Sequence, residues 1–122
     1  MIQEQDVITV EGLRKCYGSV KAVDNVTFQV RKNEIFGMVG PNGSGKTTTI
    51  ECIEGLRHPD EGRLIVLGLD PNSDNYELRE RTGVQLQSSN LTNRMRVEEA
   101  LNLFSSFYRR AADWLPLLEE LD

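Results

Sequence analysis

Residues 40–49, GPNGSGKTTT, leave the chain few ways to fold around them. Gly40, four residues, then Gly45, Lys46 and Thr47 fit the phosphate-loop pattern G-x-x-x-x-G-K-[ST]. The stretch lies between a short apolar run, EIFGMV, and IECIEGL, whose Ile50, Ile53 and Leu56 recur at helical spacing. A strand is therefore expected to run into the loop, and the loop into a helix. Each position then has a physical task. Glycines let the backbone approach a ligand closely and take conformations closed to other residues, so that successive N–H groups point inward as an anion cup. The helix behind adds its unpaired N-terminal N–H groups and the positive end of its dipole. Lys46 supplies a compact full charge for the β- and γ-phosphate oxygens, and the Thr47 hydroxyl is a ligand suited to Mg²⁺. Gly40, Pro41, Asn42, Gly43, Ser44, Gly45, Lys46, Thr47 and Thr48 are thus the expected contacts of a bound nucleoside triphosphate.

The neighbouring patterns suggest what surrounds the loop. In DNVTFQV, Val26, Phe28 and Val30 alternate with Thr27 and Gln29, as in a half-buried antiparallel strand. DVITVEGL at 6–13 is a plausible partner. EIFGMVG is a continuous apolar run, expected to be a strand covered on both faces. RHPDEG marks a turn, RLIVLG a strand, PNSDNYELRERTG a loop with a short polar helix, GVQLQ a further strand, and residues 88–95 a polar loop. Val97, Leu101, Phe104 and Tyr108 fall on one face of an amphipathic helix. Asp113 is placed to cap a last helix, with Pro116 in its first turn. LLEELD carries no stop signal for that helix.

Composition narrows the function classes. The net charge is −5, from 14 Lys and Arg against 19 Asp and Glu, which speaks against nucleic acid as the main partner. Arg94, Arg96, Arg109 and Arg110 are accordingly expected as solvated charges. No apolar run approaches the roughly 18 residues of a membrane span, and MIQEQDVITV lacks a basic-then-apolar targeting pattern. A cytoplasmic chain is expected. Cys16 and Cys52 lack metal-ligand spacing and are expected as reduced structural thiols. His58, within a Pro-Asp-Glu-Gly turn, is expected at the surface.

The run from Leu13 to Gly68, LRKCYGSVKAVDNVTFQVRKNEIFGMVGPNGSGKTTTIECIEGLRHPDEGRLIVLG, resembles the N-terminal half of ABC-transporter ATP-binding subunits. The likeness extends from about residue 7 to the end. It is nearest to the separate ATPase subunits of bacterial drug exporters, to which RTGVQLQSSNL also points. The resemblance implies an α/β fold: a P-loop NTPase core of the ABC ATPase type, truncated, with an N-terminal antiparallel β lobe and the start of a helical lobe. Residues 1–122 would be part of one nucleotide-binding domain, about 1–87 forming the ATP-binding core and about 88–122 opening the helical lobe. Tyr17 falls where this family places an aromatic ring that stacks on adenine. Gln87 resembles the family's glutamine at the start of a mobile loop, whose amide oxygen reaches Mg²⁺ or the attacking water. Gln85, inside the expected strand, is poorly placed for that. ATP and Mg²⁺ are the implied ligands; a membrane permease and a second ATP-binding subunit are the implied partners, at the inner face of the cell membrane. Where the family has Leu-Thr-Val-x-Glu at a helix start, this chain has Met95-Arg96-Val97-Glu98-Glu99, which keeps the glutamate and loses the capping hydroxyl.

The resemblance also implies what hydrolysis requires: an apolar strand ending in Asp-Glu, and a Leu-Ser-Gly-Gly-Gln segment that clamps ATP from the opposite subunit. Neither occurs here. LIVLGLD ends in Asp70, but Gly68 interrupts the run and Pro71 follows. Glu119 and Glu120 lie on a helical pattern. The expectation is a subunit whose parent couples ATP binding and hydrolysis to export, of which these residues carry the ATP-binding half. Alternatives are a nucleotide-binding fragment without turnover and a soluble ABC ATPase coupled to no permease. A GTPase is disfavoured because no Asn-Lys-x-Asp motif is present.

Overall fold

A computed structural model describes residues 5–88 and 90–121. Ser89, inside the expected 88–95 loop, lies outside the described residues, as do residues 1–4 and Asp122. The chain divides into two compact units, 1–79 and 80–122.

The first unit is organised by a long hairpin. Strand β1 (Asp6–Tyr17) and strand β2 (Val20–Arg31) pair antiparallel, with Tyr17 opposite Val20 across a two-residue turn. Both exceed the lengths read from alternation, because each contains irregularities that break the period of two. Val10 and Leu13 are both fully buried although three residues apart. The register shift between them makes this possible: Gly12 has φ +59° and its N–H donates to Thr27 Oγ1 at 2.9 Å. Strand β3 (Glu61–Val66) pairs antiparallel with the other edge of β1, giving the order β2-β1-β3. Val10 faces Phe28 on one side and Leu64 on the other. Helix α1 (Lys46–Ile53) completes the core, where Cys52 joins Val10, Leu13, Val23 and Leu64.

The buried face of α1 is not the expected stripe. Thr49 and Cys52 are buried, whereas Ile50 and Leu56 stand half exposed. The helix stops before Leu56. Gly55, at φ +74°, donates to Cys52 O at 3.1 Å while Leu56 N–H reaches Glu51 O at 2.9 Å, a Schellman ending. Leu67 and Gly68, both with positive φ, close a tight turn that bridges Val66 to Leu69. Helix α2 (Asn75–Arg81) follows and buries Leu78.

Two expected strands do not form. Residues 34–39 run without strand pairing; Ile35 is 100% exposed and Val39 95%, so the segment is not covered on both faces. Phe36 stacks on Phe28 with centroids 4.9 Å apart, and Glu34 is held in the turn by Arg31 N–H at 2.8 Å. Residues 83–86 likewise have no strand, and Val84 and Leu86 are about half exposed. A parallel strand holds its shape through neighbours on both edges and helices on both faces. Among the described residues, all paired strands belong to the antiparallel sheet, and neither 34–39 nor 83–86 pairs with any of them.

The second unit holds helix α3 (Val97–Ser105) and helix α4 (Leu115–Leu121). Asp113 caps α4 by accepting from Leu115 N–H at 3.1 Å, as its position suggested. Helix α3 ends before Tyr108, whose hydroxyl donates to Thr82 O at 3.1 Å, and of the helix only Ala100 is buried. The apolar stripe is therefore largely uncovered, with Val97 and Phe104 exposed. At the start of α3, Arg96 N–H donates to the Glu99 carboxylate at 2.9 Å. The capping residue is an arginine, whose guanidinium has donors and no acceptor for the first-turn N–H groups. Replacing Arg96 with Thr supplies that acceptor and is expected to stabilise the helix by ~0.5–2 kcal/mol, read from urea melts. An unchanged or lower midpoint would show that the cap is not limiting.

Candidate functional site

The loop from Gly40 to Gly45 curls tightly. Ser44 N–H donates to Pro41 O at 3.2 Å, and Gly43, at φ +84°, sits in the turn between them. Lys46 folds back over the loop: its ammonium donates to the carbonyl oxygens of Gly40 and, at 3.2 Å, of Pro41. Gly45 is the N-cap of α1 at φ +92°. A Cβ there would collide with the carbonyl oxygen of Ala22 in β2, so any side chain would push the loop off the sheet. This close approach ties the loop to the hairpin.

The glycine cap leaves the helix start open. Thr49 N–H makes the first helical bond, to Gly45 O at 2.9 Å, and the Thr49 hydroxyl accompanies it at 2.8 Å. The N–H groups of Lys46, Thr47 and Thr48 lie in the first turn, beyond reach of any intrahelical carbonyl. Gly45 has no side chain to satisfy them. Thr47 is exposed and Thr48 half-buried. The arrangement is three first-turn donors and one ammonium beside a loop of backbone, a donor set of the kind that anions accept from.

Tyr17 ends β1, opposite Val20 and so two residues along β2 from Ala22. The ring is 41% exposed. The strand end that carries it is fixed by Asp60, which accepts from Cys16 N–H at 2.7 Å and from Lys15 Nζ at 3.1 Å. The Cys16 bond, and next the Lys15 ammonium, hold the Asp60 carboxyl below its ordinary range. Asp60 N–H in turn donates to Arg14 O at 2.9 Å. Arg57 lies over the Tyr17 ring and pairs with Glu51 of α1 at 2.5 Å. The ring and the phosphate loop are thus joined twice, through β2 and through α1.

The other expected positions fall as follows. Gln87 is exposed in a bend of the second unit, and Gln85 is exposed too, since no strand encloses it. Asp70 is engaged in its own turn, accepting from Asn72 N–H at 2.8 Å. Glu119 and Glu120 lie exposed on α4, and His58 is exposed in its turn. Cys52 is a core residue whose thiol burial pushes up, whereas Cys16 is exposed and contributes through its backbone, not as a buried thiol. Sequence reasoning missed Asp60, Lys15, Glu51 and Arg57. The alternation of Lys15 and Tyr17 along one strand was an available signal. Pairing across 45 residues, as Lys15 makes with Asp60, has none.

The family model of the ABC transporter matches residues 23–122, beginning in β2 and including the whole phosphate loop. The chain belongs to the ABC transporter family. Among its relatives, a Nod factor export ATP-binding protein I of Ralstonia nicotianae is 40% identical over 102 residues, 84% of this chain and 32% of the relative. A daunorubicin resistance ATP-binding protein, DrrA3 of Streptomyces coeruleorubidus, is 36% identical over 86% of this chain and 33% of its own length. A methionine import ATP-binding protein, MetN of Mesorhizobium japonicum, is 36% identical over 81% and 28%. A solved structure described as the ATP binding subunit of an ABC transporter superposes with a TM-score of 0.82 at 28% identity, over 93% of this chain and 50% of that one. The ABC ATPase fold expected from the resemblance is therefore the fold of this chain, although its parallel strands are unformed. The chain spans about a third of the length of these curated relatives.

Asp60 offers a test of how the Tyr17 end is held. Its folded pKa is depressed, so its contribution is complete above the ordinary aspartate value, about pH 4, and is lost as pH falls through the lower folded value. Asp60→Asn is expected to lower stability at pH 7 and to flatten the acid limb of the stability curve below about pH 4. A variant with the same acid limb as the wild type would show that the Cys16 and Lys15 contacts do not persist in solution.

Proposed function

We propose that the chain is the ATP-binding part of an ABC transporter ATP-binding subunit, whose parent couples ATP binding and hydrolysis to export through a separate membrane permease. The observation that carries this reading is the open start of α1: a left-handed glycine cap, unpaired first-turn N–H groups and Lys46 poised over the loop. Gly40 to Thr48 would cradle the phosphates. Lys46 would trade its bonds to the Gly40 and Pro41 carbonyls for phosphate oxygens. Tyr17 would carry the base on its exposed ring.

Mg²⁺ suits the donor set at the loop's end. The Thr49 hydroxyl is occupied by Gly45 O, while Thr47 is exposed and can offer its hydroxyl as a hard oxygen ligand. The resemblance would make Gln87 a further oxygen ligand. Bound Mg²⁺ would neutralise charge on the β- and γ-phosphates during phosphoryl transfer. Relatives named for export and for drug resistance support the direction of transport, although one named for methionine import is comparably similar. A dimeric ABC cassette among the similar structures, with a TM-score of 0.71 at 27% identity, supports a second ATP-binding subunit as partner. No helix of the described residues is long and apolar enough to cross a membrane, which suits a subunit held at the cytoplasmic face by a permease. Residues to about 87 would belong to the ATP-binding core and those beyond to the start of the helical lobe.

Lys46→Ala is expected to weaken ATP binding by at least tenfold, which is about 1.4 kcal/mol. Equal affinities of mutant and wild type, titrated at matched salt, would sink the assignment of the loop.

The 122 residues by themselves are proposed to bind without turning over. Beyond Gln87, hydrolysis needs a carboxylate that orients and activates the attacking water. Glu51 is paired with Arg57, Asp60 with Lys15 and the Cys16 N–H, and Asp70 with its own turn. The purified chain is expected to release no Mg²⁺-dependent phosphate above a Lys46→Ala control. Turnover that disappears in the control would refute this.

A further inference from the structure

Tyr17 is not a bare platform. Two cations lie over its ring, Arg57 with Cζ 5.3 Å from the centroid and Lys15 with Nζ 5.7 Å away. Both are within the ~6 Å at which a cation is drawn to the face of an aromatic ring. The two are held very differently. Lys15 is mostly covered, and its ammonium is bound by Asp60, whose carboxylate also accepts from the Cys16 backbone. Arg57 extends from the turn after α1, is 40% exposed, and pairs with Glu51 among the described residues. The guanidinium can leave the ring without breaking the anchor of the strand; the ammonium cannot.

We propose that Arg57 is a specificity-determining residue that covers Tyr17 and must move off the ring before a base can stack there. This deepens the reading of Tyr17 as the base platform and rests on it. A base that stacks on the face Arg57 covers needs van der Waals contact with the ring, the space the guanidinium occupies. Base binding therefore trades one favourable contact with the π face for another, and the net gain from the base is smaller than stacking alone would give. Phosphates stand outside that competition, because Arg57 is tied to Glu51 and Tyr17 and the carbonyl bonds that Lys46 gives up are the same for ATP and for triphosphate. The arrangement weights recognition toward the polyphosphate and lowers discrimination between a full nucleotide and its phosphate chain.

The sign of the effect makes it testable. Removing a positive charge near a polyanion would, by simple electrostatics, weaken ATP binding. Displacement from Tyr17 requires the opposite. Titration of the full chain with ATP and with inorganic triphosphate is expected to show that Arg57→Ala tightens ATP by about two- to fivefold, the scale of one exposed cation–π contact. Triphosphate affinity should not change, and the gain should vanish in a Tyr17→Ala background. Arg57→Gln, which keeps a planar polar end without the charge, should act in the same direction and serves if the alanine variant misfolds. Unchanged or weaker ATP binding in both Arg57 variants, with Tyr17→Ala still costing affinity, would overturn the proposal and leave the platform standing. An equal gain for triphosphate would overturn it too, as a general charge effect. If Tyr17→Ala leaves ATP affinity untouched, the platform reading itself fails and takes the proposal with it.

Discussion

The contact between Gly45 and the carbonyl of Ala22 fixes where the phosphate loop and α1 sit against the hairpin. The sheet and the helix meet there with no side chain between them. The same glycine adopts a positive φ, starts α1 and leaves its first N–H groups without a cap. Packing and ligand binding are usually separable requirements. Here they converge on one residue, because the backbone must both touch a neighbouring strand and open toward an anion. A side chain at this position would raise a steric conflict with the sheet before any question of phosphate arose.

Much of this was legible from residue order alone. The phosphate loop declares itself through side chains whose geometry is local, and local geometry is what a sequence encodes most directly. The antiparallel pairing of 24–30 with 6–13 could be read from alternation, and Asp113 from its place ahead of Pro116. The lengths of β1 and β2 could not, since the shifts around Gly12 hide two buried residues three apart. The unformed strands at 34–39 and 83–86 mark a different limit. Their apolar character was read correctly, but a parallel strand is a property of its neighbours, and those are not part of the described sheet. The stripe on α3 stayed uncovered for the same reason: an amphipathic pattern states what a helix can bury, not what is present to bury it.

The surroundings of Tyr17 were the least legible part of the site. Asp60 reads as one more polar residue in a turn, yet its carboxylate gathers the Lys15 side chain and the Cys16 backbone and so sets the strand end. Arg57 reads as one more solvated charge. Their roles depend on a turn after α1 folding back against β1, a meeting of segments more than forty residues apart. Aromatic position was inferred by resemblance; the company it keeps required coordinates.

The hairpin also has a bearing on the order in which this chain acquires its shape. β1 and β2 meet across a two-residue turn, whereas β3 reaches β1 by closing a long span, from Arg14 to Glu61 at its shortest. Local pairings form quickly, and contacts across long separations wait on the entropy of closing the loop between them. The phosphate loop and α1 lie inside that long span. On the ribosome the hairpin can therefore be complete, and offer Ala22 for Gly45 to dock against, before residues near 60 have been made and have returned to β1.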